Sequence, residues 1–297
     1  MSVQESTLQT WSQAPSETEE NRCRNAVNAI TAAVEAVYGN RVDIFLQGSY
    51  RNRTNVRKDS DVDVVVRHRE YFYTDAAALP LLVRPQVPTH YRPTNYQFWE
   101  FKQSIQEILS THFGSPSIER KNKCIRVKEN TYRVSADVVP AFTHHVLPTP
   151  SEFQHEGTGL FADNAPTQQI FSFPKQHYDN GAAKNTNTSG NYKGLVRILK
   201  RTRNAMVDAG LMDKDLMPSH FLESLLWNVP DAAYTGSSWT AVLRSVLPPL
   251  YADMKGVLTA APYHEVNGLK LLFDASSGRT PTRAMAFMEG VWEYITL

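Results

Sequence analysis

The stretch QGSYRNRTNVRKDSDVDVVVR, residues 47–67, contains a Gly-Ser pair followed by an Asp-Val-Asp sequence at the start of an apolar run. Side chains two residues apart on a β-strand point to the same face, so Asp61 and Asp63 are expected side by side, roughly 6.6 Å apart along the backbone. Three valines fill the opposite face: Val62, Val64 and Val66. Two adjacent carboxylates repel each other, and a hard divalent cation with oxygen ligands is the partner that best relieves this repulsion.

A third carboxylate occurs in the sequence RVSADVV at residues 133–139, where apolar and polar residues alternate as in a half-buried strand. If this strand pairs in matching register beside the first, Asp137 joins Asp61 and Asp63. Three such carboxylates can hold two magnesium ions about 4 Å apart, one activating an attacking hydroxyl and one stabilising a leaving pyrophosphate. The pattern therefore indicates nucleotidyl transfer, whereas each acid taken alone is also compatible with an ordinary surface position on a strand.

The order of these three motifs resembles that of the polymerase-beta-like nucleotidyltransferases. Within that superfamily, the stretch at residues 47–66 is similar to the bacterial CD-NTases, which are relatives of cyclic GMP-AMP synthase and oligoadenylate synthase. Two later stretches resemble the C-terminal helical region of the same group, NYKGLVRILKRTR at residues 191–203 and PSHFLESLLWNVP at residues 218–230. The resemblance covers residues 42–230.

The resemblance implies an α/β (α+β) fold with two lobes and the active site in the cleft between them. We expect residues 1–165 to form the nucleotidyltransferase lobe, with a mixed, twisted sheet and a long N-terminal helix. Residues 166–297 are expected to form a mainly helical lobe. Helical spacing of apolar residues after a capping box at Ser16 predicts the long helix over residues 17–38. Residues 71–95, with four prolines, are interpreted as extended chain and loop, and residues 142–191, with weak periodicity, as the crossing between the two lobes.

Candidate nucleotide-binding residues follow the first predicted strand. They are Gln47, Gly48 and Ser49. Because glycine lacks a Cβ, the backbone at Gly48 can approach a phosphate closely, and the amides and the Ser49 hydroxyl can donate hydrogen bonds to it. Outside this context a Gly-Ser pair is most often a simple turn.

Further candidates lie in the second half of the chain. A helix predicted over residues 192–207 carries Lys193, Arg197 and Lys200 on one face, at positions i, i+4 and i+7. The resemblance implies that basic residues of this helix bind the donor triphosphate, although a solvated basic face is the ordinary explanation. Asn180, followed by a glycine in an Asn-rich segment that is interpreted as a flexible turn, is a candidate for contacting a base edge.

Composition excludes several other classes of protein. The 297 residues include 31 basic and 30 acidic side chains, so there is no general attraction to long nucleic acids or anionic membranes. Two cysteines without paired spacing argue against a disulfide framework and against a zinc finger. No segment approaches the roughly 20 apolar residues of a membrane span. We expect a cytoplasmic monomer with no stable nucleic-acid partner.

These observations predict a nucleotidyltransferase that uses two Mg²⁺ ions, for which Mn²⁺ can substitute, and ribonucleoside triphosphates as substrates. The resemblance implies that the product is a cyclic di- or trinucleotide second messenger, sensed by a separate effector protein in anti-phage defence. A linear oligonucleotide synthase or RNA-tailing enzyme, and a catalytically silent nucleotide-binding regulator, remain alternatives. The sequence leaves open the bases used, the ring size, the linkage isomer and the activating signal.

Overall fold

The computed structural model describes residues 3–56, 61–75, 97–146, 155–256, 262–273 and 278–297. The helices are α1 (Glu5–Ser12), α2 (Glu17–Tyr38), α3 (Gly48–Asn52), α4 (Phe98–Phe113), α5 (Pro174–Asn187), α6 (Asn191–Asp208), α7 (Ser219–Trp227), α8 (Trp239–Lys255) and α9 (Pro281–Ile295). The strands are β1 (Val42–Gln47), β2 (Val62–Asp75), β3 (Ile118–Arg120), β4 (Ile125–Val127), β5 (Ala136–Val146), β6 (His155–Ala162) and β7 (Ala165–Ser172). Within these ranges, no helix is both long and apolar enough to cross a membrane.

The chain forms two compact units, each with its own hydrophobic core. The sheet unit consists of Ser16–Arg51 and Asp59–Pro174. The helical unit consists of Met1–Pro15, Asn52–Lys58 and Lys175–Leu297. The predicted boundary between residues 165 and 166 falls inside β7, because the β6–β7 hairpin continues the sheet beyond that point.

The strands of the sheet unit are arranged in the order β1-β2-β5-β4-β3, and β6 pairs with β5 while β7 pairs with β6. β2 is antiparallel to β1 and parallel to β5, so the sheet is mixed as predicted. The long β5 is central, with β2 on one side and β4 and then β6 on the other. Most of its residues are buried, which is typical of a strand covered on both faces.

Helices α2 and α4 contact each other, and each contacts strands of the sheet. α2 has the predicted bounds, and the side chain of Ser16 accepts a hydrogen bond from the Glu19 amide at 3.4 Å as a capping residue. The predicted apolar face of β2 is fully buried in the same core: Val62, Val64 and Val66. Its β-branched side chains suit a pleated, buried surface.

The helical unit includes the N-terminal helix α1, which the sequence analysis did not predict. Leu8 of α1 is fully buried in the core of this unit. The carboxylate of Glu5 accepts hydrogen bonds from the backbone amides of Trp239 and Thr240 at the start of α8, at 2.5 Å and 3.0 Å. Negative charge at a helix N-terminus is favourable because the first amides there have no partner within the helix.

The segment interpreted as the crossing between the lobes, residues 142–191, is mainly helix and strand where the structure describes it, at residues 142–146 and 155–191. It contains the last five residues of β5, both strands of the β6–β7 hairpin and α5. The flexible turn predicted around Asn180 was wrong, because packing within the helical unit outweighs the weak local pattern and residues 174–187 form α5. Of the predicted loop at residues 71–95, Tyr71–Asp75 belong to β2, and residues 76–95 lie outside the described ranges.

Candidate active site

The parallel pairing of β2 with β5 brings the predicted carboxylates together. Asp63 and Asp137 are directly opposite each other in this pair, and Asp61 immediately precedes β2. The backbone amide of Val62 also donates to the carbonyl oxygen of Ser135 at 3.2 Å, which fixes the register at the strand ends. The matching register that the sequence predicted is therefore confirmed. Directly opposed residues of neighbouring strands have backbones about 5 Å apart, so the two carboxylates share one face at short range.

The Gly-Ser pair lies beside Asp63 because β1 and β2 are antiparallel. Gln47 at the end of β1 is directly opposite Asp63, and the chain then turns into the short helix α3 at Gly48. Gly48 has a φ of +69°, a conformation that favours glycine. A Cβ at this position would overlap the Oδ2 atom of Asp63. Ser49 follows as the second residue of α3 and is partly buried.

The electrostatics of this face raise the pKa values of two carboxyls. Burial raises the pKa of Asp63 to about 7, with further contributions from the negative charges of Asp137 and Asp61. The pKa of Asp61 is also raised, mainly by burial and then by Asp137, while the positive charge of Arg126 opposes this shift. Such shifts show that the carboxylates are costly to hold together in ionised form, and a cation placed between them would lower that cost.

Arg126 on β4 is a residue of this face that the sequence analysis missed. Its Nε donates to Oδ1 of Asp137 at 2.8 Å and its Nη2 donates to Oδ2 of Asp137 at 3.1 Å, while Nη2 also donates to Oδ2 of Asp61. The Nζ of Lys121 lies 3.9 Å from Oδ1 of Asp137. The hydrogen bond with Asp137 raises the pKa of Arg126, so its guanidinium stays charged. Alternation along the predicted strand at residues 124–127, together with the hairpin to Asp137, could have revealed it.

The donor set of this face fits a hard divalent cation, because all three candidate groups are carboxylates, the ligands that Mg²⁺ and Mn²⁺ favour. Their arrangement is not a closed metal cage. Within the described ranges, no three carboxylate, imidazole or thiol groups form a set that could hold a metal ion. Asp61 and Asp137 instead both bind the guanidinium of Arg126.

The predicted basic residues of α6 occupy the helical unit and differ in exposure. Lys193 is partly exposed, with its ammonium 5.8 Å from the ring centroid of Tyr178. Arg197 is partly buried and donates to the carbonyl oxygens of Ser12 and Arg53, each at 2.6 Å. Burial lowers the pKa of Arg197 to about 10, with a smaller contribution from Arg201. A simple solvated basic face is therefore not what the structure shows.

Lys200 and Asn180 are also engaged within the helical unit. The side chain of Lys200 is fully buried and donates to the carbonyl oxygen of Thr54 at 3.0 Å, because residues 52–56 pack against α6. Asn180 is inside α5 rather than on the flexible turn that was predicted, and its Nδ2 donates to the carbonyl oxygen of Val266 at 2.8 Å. Both side chains thus have structural partners.

Comparisons with known proteins agree with the two-unit architecture. The sequence profile of the cGAS/DncV-like nucleotidyltransferase C-terminal helical domain matches residues 179–296. Over 295 residues the chain is 41% identical to a cyclic dipurine nucleotide synthase of Elizabethkingia meningoseptica, covering 99% of each protein. It is 32% identical over 295 residues to a cyclic dipyrimidine nucleotide synthase of Legionella pneumophila, covering 98% of this chain and 97% of that protein. The solved structure of the Elizabethkingia meningoseptica CdnE cyclic dinucleotide synthase with GTP and Apcpp has a TM-score of 0.83 at 41% identity, covering 99% of this chain and 100% of that chain.

Proposed function

We propose that this chain, which belongs to the CD-NTase family of nucleotidyltransferases, joins ribonucleoside triphosphates into a cyclic di- or trinucleotide and releases pyrophosphate. The observation that carries the proposal is the in-register pair of Asp63 and Asp137 beside Gly48. This arrangement occurs in a chain with relatives named as cyclic nucleotide synthases over nearly its whole length.

In the proposed mechanism, Asp61, Asp63 and Asp137 would hold two Mg²⁺ ions, for which Mn²⁺ could substitute. When bound, these ions lower the pKa of the attacking hydroxyl and stabilise the charge on the leaving pyrophosphate. Asp137 orients the acceptor hydroxyl and takes part in its deprotonation. Gly48 and Ser49 bind the phosphates of the donor nucleotide through backbone amides and the serine hydroxyl. In-line attack on the α-phosphate then forms one phosphodiester bond and releases pyrophosphate.

The basic residues of α6 divide into two proposed roles. Lys193 and Arg197 are partly accessible and are the proposed contacts to the donor triphosphate. Lys200 would act indirectly, since its ammonium holds Thr54 in the segment that follows α3. Gln47, opposite Asp63, and Asn180 on α5 remain proposed nucleotide contacts.

Purine nucleotides are the substrates that we propose first. The relative with 41% identity is named a cyclic dipurine nucleotide synthase, whereas relatives named for dipyrimidine products share 32% identity. We also propose, from family membership, a cytoplasmic monomer whose product is a second messenger for a separate effector protein in anti-phage defence.

A linear oligonucleotide synthase is the second candidate, because it would use the same carboxylates on the same strands. The family relatives named for cyclic products favour ring closure. A silent nucleotide-binding regulator is the third candidate, and the presence of all three carboxylates on one face disfavours it.

The deciding experiment incubates the purified protein with α-labelled ATP, GTP, CTP and UTP in turn, each in a mixture of all four, with Mg²⁺ or Mn²⁺. We expect label that resists phosphatase and has the mass of a closed ring, because a ring has no terminal phosphate. Linear products would support the second candidate. Nucleotide binding without any product would support the third.

Asp63→Asn tests the proposed role of the carboxylates in the same assay. We expect product formation to fall about a hundredfold or more, since the variant removes a charge from the group proposed to bind the metal. Asp43→Asn is the matched control, because Asp43 lies on β1 of the same unit and binds Arg67 and Arg69 instead. Full activity in Asp63→Asn would contradict the proposed mechanism.

A further inference from the structure

Arg126 is bound to two of the three carboxylates that the proposed mechanism assigns to metal binding. It lies directly opposite Asp137 in the antiparallel β4–β5 pair. Its guanidinium makes a two-point contact with Asp137 and a third hydrogen bond to Asp61, which immediately precedes β2. The side chain is 26% exposed, so it is reachable from solvent.

These hydrogen bonds use the same atoms that a metal would use. Arginine and carboxylate groups form charge-assisted two-point contacts that fix both partners in one geometry. Mg²⁺ and Mn²⁺ bind carboxylates through the same oxygen atoms. The guanidinium engages both oxygens of Asp137 and the Oδ2 atom of Asp61, so a cation bound through those oxygens would have to displace it. The guanidinium and the dication compete for one set of oxygens.

A purely structural role for Arg126 would be to stabilise the pairing of β4 with β5. The sheet unit offers an internal comparison, because Arg120 on β3 binds Asp163 in the same two-point manner, at 2.8 Å and 3.0 Å. That arginine contacts one carboxylate outside the candidate site. Arg126 differs because it bridges two carboxylates that repel each other, Asp61 and Asp137. A contact that only held β4 against β5 would not need Asp61.

We propose that Arg126 is a displaceable cation that competes with divalent metal for Asp61 and Asp137, and that metal binding requires its guanidinium to leave both carboxylates. This inference rests on the proposed function and names a positioning residue of the same site. Arg126 keeps the carboxylates close despite their repulsion, and the apparent affinity for metal equals the intrinsic affinity multiplied by the fraction of molecules in which Arg126 is not bound to them. Metal binding thereby becomes linked to a side-chain movement on β4.

The test measures binding of Mn²⁺ alone to the full chain without nucleotide, from the signal of free Mn²⁺ in electron paramagnetic resonance. We expect Arg126→Gln to bind Mn²⁺ about tenfold more tightly than the wild type, because the neutral side chain no longer competes. Arg126→Lys should be intermediate, since its single point charge cannot make the two-point contact. A role limited to holding β4 against β5 would not increase metal affinity.

Arg120→Gln is the matched control, and we expect its Mn²⁺ affinity to equal that of the wild type. An unchanged or weaker affinity in Arg126→Gln would overturn the inference, as would the absence of Mn²⁺ binding in both proteins. Binding by Arg126→Gln alone would support it. If Asp63→Asn abolishes product formation but Arg126→Gln leaves Mn²⁺ affinity unchanged, the proposed function stands and only this inference fails. If Asp63→Asn remains active, the proposed function fails.

Discussion

Gly48 satisfies two separate requirements at the end of β1. Its backbone has a positive φ, which favours glycine, and its Cα lies so close to Asp63 that a Cβ would overlap the Oδ2 atom. The second requirement is specific to the site, because the overlapped atom is a proposed metal ligand. A short motif in the sequence thus corresponds to a close approach in space.

Gly48→Ala should lose both stability and activity. The positive φ costs roughly 1–2 kcal/mol for a residue with a Cβ, and the overlap displaces the carboxylate of Asp63. Gly210→Ala is the control, since Gly210 has a φ of +70° with nothing within 4 Å of an added Cβ. We expect thermal unfolding to show a similar loss in both variants and the product assay to show a loss in Gly48→Ala alone. Equal activities would contradict the role of the close approach.

At the scale of elements, the buried carboxylate of Glu223 on α7 joins three parts of the helical unit. It accepts hydrogen bonds from Thr54 at 3.0 Å and pairs with His177 of α5 at 3.1 Å. Burial alone would raise its pKa, but the hydrogen bond with His177 and the positive charges of His177, Lys200 and His220 lower the pKa to about 2. The ionised form is therefore the one that the fold stabilises.

Glu223→Gln should reduce the stability of the protein and flatten its dependence on acidic pH. The folded pKa is below the ordinary value of 4.5, so the stabilisation is present above pH 4.5 and is lost as pH falls toward about 2. We expect the variant to lose roughly 2–3 kcal/mol at neutral pH, measured by denaturant unfolding from pH 7 to pH 3. Glu293→Gln, an exposed change on α9, serves as the control. An equally steep acid dependence in Glu223→Gln would exclude this role.

The elements that were predicted from sequence are those with a strong local pattern. The apolar spacing of α2 and the valine run of β2 follow directly from the sequence, whereas alternation predicts only that Asp63 and Asp137 share a face if their strands pair in matching register, which the structure shows. α5 could not be predicted, because its polar sequence with an internal Asn-Gly pair is typical of a turn. Tertiary contacts hold it as a helix, including a hydrogen bond from Asn180 to Val266. Arg126 was not predicted, because a cluster of carboxylates is neutralised equally well by a metal ion or by a protein cation.

At the scale of the whole molecule, neither unit is continuous in sequence. The helical unit takes α1 from the beginning of the chain, residues 52–56 from its middle and the five helices α5 to α9 from its second half. Leu8 of α1 is buried in the same core as residues of α6 and α8. The stability of that core therefore depends on a segment that is remote in sequence.

Leu8→Ala should destabilise the helical unit selectively. Removing a fully buried leucine side chain costs about 2–5 kcal/mol. Native-state hydrogen exchange should show lower protection in α6 and α8, and unchanged protection in β2 and β5. Ser6→Ala, an exposed change on the same helix, is the control. A uniform loss of protection through both units would show that they unfold together.

The discontinuity of the helical unit also bears on the order of events during synthesis. α1 leaves the ribosome before the other helices and strands, yet its core partners α6 and α8 are translated after every strand of the sheet. The strands of the sheet unit, up to Ser172, can therefore pair before α6 and α8, the core partners of α1, have been synthesised. During that interval the apolar side of α1, including Leu8, is not yet covered by the core that buries it in the folded protein.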